Sequence, residues 1–328
     1  MKTSLIYFLL FPLFLFPQTE TKKLFDAKNS PLTKHNITSI TTDYSGLNWI
    51  GTLDGLFCFN GERWVGLTTT NSKLPSNKIL CIESQSNKIY IGTDNGLLII
   101  NNNKWAVYST KNSKLPSDKI RKIKINNNAV WLATSKGLVK YTHEFETVLS
   151  SKKNGIKDDD FIALNIDKNN KIWLGTNDGL YSYKEDIWKV FTTQNSQLLN
   201  NHIWSIVVDG EDKKWIGTKN GLATITNEGW QLFDKKNTPL KSNHIKSIAR
   251  DDYDRVWVST EGEIISYDGG DWKKQKTKTC KKEVIINLFI DDFDNKWVCT
   301  SRSVIVYNSE GVEFKNSSTN ESNIVMSK

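Results

Sequence analysis

The chain has 328 residues, 24% of them charged, with 44 Lys and Arg against 36 Asp and Glu and a formal charge of +8. So modest a positive excess, with no Lys/Arg run, describes a solvated lysine-rich surface and excludes a nucleic-acid stripe, so no nucleic acid partner is expected. Four cysteines, Cys58, Cys81, Cys280 and Cys299, lack C-x-x-C spacing and are too scattered for a disulfide scaffold or zinc site, although one bridge of undecided partners stays open.

The first predicted element is a signal peptide over residues 1–17. Lys2 precedes an apolar run from Leu5 to Phe16 that is too short to span a bilayer and is broken by Pro12, with cleavage expected after Phe16 or Pro17. No later stretch is apolar enough to cross a membrane. The mature chain is therefore expected without a transmembrane segment, in the periplasm, at the cell surface or secreted.

From residue 18 to 316 one pattern recurs seven times. Its copies are Trp49-Ile50-Gly51-Thr52, Tyr90-Ile91-Gly92-Thr93, Trp131-Leu132-Ala133-Thr134, Trp173-Leu174-Gly175-Thr176, Trp215-Ile216-Gly217-Thr218, Trp257-Val258-Ser259-Thr260 and Trp297-Val298-Cys299-Thr300. The aromatic leaders are spaced by 41, 41, 42, 42, 42 and 40 residues, the length of a four-stranded propeller blade. The copy at 201–242 shows the grammar. An apolar run from His202 to Val208 gives a first strand, Lys214 to Thr218 a second, Leu222 to Thr226 a third and Trp230 to Phe233 a fourth, with turns at Asp209-Gly210-Glu211-Asp212 and Lys219-Asn220-Gly221. The expectation is an all-β, seven-bladed propeller of antiparallel blades. Stacking buries both faces of each sheet, which suits the tryptophan leaders and the outer Trp64, Trp105, Trp188, Trp230 and Trp272, while Gly51, Gly92, Gly175 and Gly217 admit a neighbour close to the backbone.

The ends of the chain are legible too. Leu24-Phe25-Asp26 repeats Leu232-Phe233-Asp234, so the N-terminal segment is a stray fourth strand expected to complete the last blade and close the ring. Val312-Glu313-Phe314-Lys315 competes for that role. Residues 317–328 are expected to form a loosely held tail.

These copies resemble the two-component regulator propeller repeat, I-x-S-I-x-x-D-x-x-G-x-x-W-I-G-T-x-x-G-L. The first copy matches through Ile37, Ser39, Ile40, Asp43, Gly46, Trp49, Ile50, Gly51, Thr52, Gly55 and Leu56. Departures cluster late, at Gly262 and Ser303, where altered turns are expected. The resemblance implies the periplasmic sensor part of a hybrid histidine kinase, a class associated with polysaccharide fragments. No kinase motif is present, so the expected partner is an oligosaccharide, anionic in character, or a protein such as a separate membrane sensor, and no cofactor is expected.

In such a fold the loops before first strands and the turns between second and third strands share one face. The blade-starting positions there are Thr38, Leu80, Arg121, Ile162, Trp204, Lys246 and Ile286. Arg121, Trp204 and Lys246 stand out as candidate ligand-binding residues, because an aromatic ring flanked by cations suits an acidic sugar. The competing account is that Trp204 plugs the channel or packs between blades. Lys136, Lys219 and Arg302 on the turns, and His202 and His244 on the loops, complete the set. Histidines at corresponding loop positions, His35 included, follow the repeat, and metal binding is not expected from them. Asp43, Asp167, Asp209, Asp251 and Asp291, six residues before a tryptophan, are read as turn chemistry rather than calcium ligands. Catalysis, as a propeller lyase, would have to use His202 and His244 with Glu261; the expectation is a binding protein.

Overall fold

The computed structural model describes residues 21–34, 36–102, 104–154, 156–275, 284–310, 312 and 314. The expected signal peptide over residues 1–17, His35, Cys280 and the expected tail over 317–328 lie outside the described residues. Twenty-eight strands form seven four-stranded antiparallel sheets, each taking its strands in sequence order except the last. The first strands line a central channel of about 750 Å3. The last blade joins three C-terminal strands to the N-terminal strand Lys22–Phe25, which pairs with Val304–Tyr307 in the register Lys22 to Tyr307 and Phe25 to Val304. The N-terminal strand thus closes the ring as expected. Val312 and Phe314 do not compete for it; they pack on the cluster that Phe25 fills between the seventh and first blades.

The core is divided into seven apolar clusters, one in each gap between neighbouring blades. The outer tryptophans Trp64, Trp105, Trp188, Trp230 and Trp272 all pack against these clusters. The motif glycines act as expected. A Cβ on Gly51, Gly92, Gly175 or Gly217 would lie 2.6, 2.8, 2.7 or 2.9 Å from Cγ2 of Ile79, Ile120, Ile203 or Ile245, the isoleucine that opens the next blade.

The recurrent aspartates do more than the sequence revealed. Each Oδ1 accepts N–H bonds from residues two and four further on, which closes the hairpin. Each Oδ2 accepts Nε1–H of the tryptophan six residues on, at 2.7 to 3.0 Å. Blades two and three lack this anchor: Tyr90 has no ring N–H, and Trp131, preceded by Ile125 at that spacing, is only half-buried.

Polar bonds also cross between blades. Ser39, Ser205 and Ser247 accept N–H bonds from Ile82, Ile248 and Leu288 of the following blade. On the opposite face, Asp212, Asp254 and Asp294, at positive φ in their hairpins, accept from Lys168, Gly210 and Asp252 of the preceding one. Two buried lysines span the same gaps, Lys214 Nζ lying 3.4 Å from Asp167 and Lys296 Nζ 3.9 Å from Asp251. Burial opposes ionisation of Asp167, but Trp173, two backbone N–H groups and Lys214 outweigh it and hold the carboxyl below its ordinary value. Asp291 faces no such lysine, and there burial prevails and raises the carboxyl.

Cys58, Cys81 and Cys299 are buried free thiols, as small core residues should be, and burial pushes Cys81 up to about 12. The late departures from the repeat do change the turns. Glu263 and Ser303 stand where the other five blades carry glycines at positive φ, and neither adopts that conformation. In blade six the Thr260 Oγ1 lacks the carbonyl partner that Thr218 finds on Gly221 and Thr300 on Ser303, while Glu263 Oε1 accepts the Lys241 N–H.

Candidate functional site

The blade-starting positions face the channel mouth for a local reason. In five blades the strand pair slips register at that point, so Thr38, Leu80, Arg121, Trp204 and Ile286 each fall in a β-bulge with no partner across the ladder. A bulged residue is turned out of the packed sheet. Ile162 and Lys246 occupy the equivalent place just before their strands, bonding through their N–H groups to the Gly175 and Ser259 carbonyls. All seven line the channel.

Trp204 is 42% exposed, in contrast to the buried tryptophans of the motif, so it does not pack between blades. Its ring lies 4.3 Å from the His202 ring and 6.2 Å from His244, tilted 40° and 42°. The two imidazoles come from adjacent blades and form one aromatic group with it. Both Nε2 atoms are buried without a hydrogen-bond partner among the described residues. Burial, then Lys219 and His244, lower the pKa of His202; burial, then Lys246, lower that of His244. Both rings are therefore neutral at pH 7.

The cations are mostly paired. Lys246 Nζ lies 2.9 Å from Glu261 Oε1, and His244 Nδ1 is 3.9 Å from the same oxygen. The Lys246 ammonium holds Glu261 below its ordinary value. Arg121 grips Asp160 with two bonds, Nε to Oδ1 at 2.9 Å and Nη2 to Oδ2 at 2.5 Å. Asp160 was not singled out in the sequence, yet it occupies in blade four the loop position that His202 and His244 occupy in blades five and six. The repeat register was the signal that could have found it. Lys219 sits on the turn beside His202, its N–H donating to the His202 carbonyl at 3.3 Å.

The structure thus brings Trp204, His202, His244, Lys219, Lys246 and Glu261 together on blades five and six, with the Arg121–Asp160 pair further round the mouth. It does not bring in Lys136 or Arg302. Their backbone N–H groups donate to Thr134 and Thr300 on turns of blades three and seven, and no side-chain contact joins them to the Trp204 group among the described residues. Next round the ring, on blades seven and one, Ile286 and Leu53 give the mouth an exposed apolar arc. Among the described residues no three His, Cys, Asp or Glu side chains converge to hold a metal. The arrangement offers a stacking platform flanked by two imidazole rings and a cation, which is chemistry for binding a polar ring.

Residues 239–262 match the family described as two component regulator propeller. No curated protein matches the chain significantly. Among solved structures, the extracellular domain of the putative hybrid two component system BT3049 from B. thetaiotaomicron is similar with a TM-score of 0.70 at 20% identity, over 84% of this chain and 40% of that one. The chain therefore spans less than half of that structure. A catalytically inactive virginiamycin B lyase from Staphylococcus aureus, solved with quinupristin, gives 0.69 at 14% identity over 87% of this chain and 98% of that one. PorZ, a surface component of the type-IX secretion system of Porphyromonas gingivalis, gives 0.64 at 14% identity over 88% and 48%. At these identities the likeness carries the fold. No helix among the described residues is long and apolar enough to cross a membrane.

Proposed function

We propose that this chain, a propeller of two component regulator repeats, is an exported sensor-type module that binds an oligosaccharide fragment at the channel mouth. The observation that carries the reading is Trp204, a large ring left 42% exposed by a bulge, whereas five of the six motif tryptophans are buried. A pyranose stacked on that ring would lie beside the edges of the His202 and His244 imidazoles and near the Lys219 ammonium, which favours a ring with hydroxyl and acidic substituents. Among the described residues at the blade-starting positions, no other supplies an aromatic stacking surface. The test is affinity for a panel of neutral, uronic and sulfated oligosaccharides by calorimetry, with Lys219→Ala and Lys246→Ala alongside wild type. Binding of one glycan class, weakened several-fold by Lys219→Ala, supports the reading; no binding across the panel removes it in favour of a protein-binding scaffold.

One observation favours a second reading, a lyase acting on polysaccharide. Two imidazoles on adjacent blades stand by a carboxylate that an ammonium keeps ionised, residue types suited to proton abstraction. Turnover of a bound polymer by wild type and its loss in His244→Ala would replace the sensor reading with this one.

A further inference from the structure

Below the mouth the channel carries a charge that nothing so far accounts for. The residue after each mouth position is small or neutral in six blades, from Ser39 and Ala163 to Asn287, and is Lys122 in the third. Lys122 lines the channel and is half-buried. The neighbouring charges do not neutralise it. Glu83 is engaged by Lys124, whose Nζ lies 2.9 Å from Glu83 Oε1. Cys81, also adjacent, is a buried neutral thiol. The Arg121 and Lys246 cations above are paired with Asp160 and Glu261. Among the described residues no carboxylate lies within ion-pairing distance of Lys122, while burial, with Lys124 adding to it, holds its ammonium below the ordinary lysine value. A half-buried cation with no carboxylate within ion-pairing distance is stabilised by any oxyanion that reaches it, and the channel gives one room to enter.

We propose that Lys122 anchors an oxyanion site inside the channel, one that takes a carboxylate or sulfate group. The group arrives either as the acidic substituent of a glycan seated on Trp204 or as a free small anion; the first source rests on the proposed function, the second does not. Seated on a mouth ligand, the site selects acidic over neutral sugars, and it does so from a residue that makes no part of the stacking platform.

The experiment measures melting shifts of wild type, Lys122→Met, Lys122→Arg and Trp204→Ala with two probes. One is sodium sulfate against sodium chloride at matched ionic strength, and the other is trigalacturonate against its neutral counterpart. The site predicts that Lys122→Met, folded by circular dichroism, weakens trigalacturonate at least tenfold and abolishes the sulfate-specific shift, while Lys122→Arg retains both. A sulfate shift that disappears in Lys122→Met but survives in Trp204→Ala, with no oligosaccharide bound, keeps the channel site and overturns the mouth reading. Trigalacturonate binding lost in Trp204→Ala and unchanged in Lys122→Met keeps the mouth and overturns the channel site. Failure of both probes to shift wild type also overturns it.

Discussion

At Asp209 one carboxylate carries three bonds: two from the hairpin backbone and one from the buried Trp215 ring. Removing it lets water reach the hairpin but leaves the Trp215 N–H stranded, so Asp209→Ala is expected to cost on the order of 3 kcal/mol in urea unfolding, whereas the exposed Glu211→Ala should change nothing measurable. The turn half of that role was legible from the aspartate-hairpin pattern. The ring bond was not, although the constant six-residue spacing held it, because spacing does not tell where an indole N–H points. The histidines give a pH prediction. An unfolded His titrates near pH 6.5, and both folded values lie lower, so below about pH 6.5 the unfolded chain takes up protons that the folded one refuses. Stability should therefore fall as pH drops from about 7.5 to 5.5, and a His202→Gln, His244→Gln double variant should flatten that decline; an unchanged slope would assign it to carboxylates instead.

Along a strand, the bulge decides what faces the channel mouth and the glycine decides how close blades come. The seven mouth positions were found from repeat register alone, but that five of them are bulged was not legible, since nothing in Ile203-Trp204-Ser205 marks an extra residue in the ladder. The glycines were legible, because a residue without a side chain at a fixed point of a buried strand implies an approaching neighbour. Gly217→Ala forces a methyl to 2.9 Å from Ile245 Cγ2 and is expected to destabilise by about 1–3 kcal/mol. Gly262→Ala meets nothing within 4 Å and should be neutral in the same thermal melt. Equal effects at the two sites would mean that glycine acts through the unfolded chain and not through blade contact.

For the whole molecule, closure rests on a four-residue strand. Phe25 lies 5.9 Å from Trp297 within its own blade and 5.4 Å from Phe59 in the next, so it spans the seam where the ring begins and ends. Phe25→Ala should cost about 3–5 kcal/mol, and hydrogen exchange should rise first in blades seven and one. The blade number and the closing strand could be read directly, because the copies of the repeat keep step and Leu24-Phe25-Asp26 copies a fourth strand. The pairs Arg121–Asp160 and Lys214–Asp167 could not. They join residues a full blade apart in sequence, and only stacking brings them together.

The central claim is that Trp204 is held out for a ligand and not for the fold. Its most direct test is the thermal melt of wild type and Trp204→Ala with and without the best acidic oligosaccharide. Ligand at about a hundred times its Kd should stabilise wild type by roughly 2.7 kcal/mol. The account predicts equal melting temperatures for the two unliganded proteins and a shift only in wild type. A Trp204→Ala protein that melts several degrees lower without ligand, or that keeps the full shift with it, would contradict it.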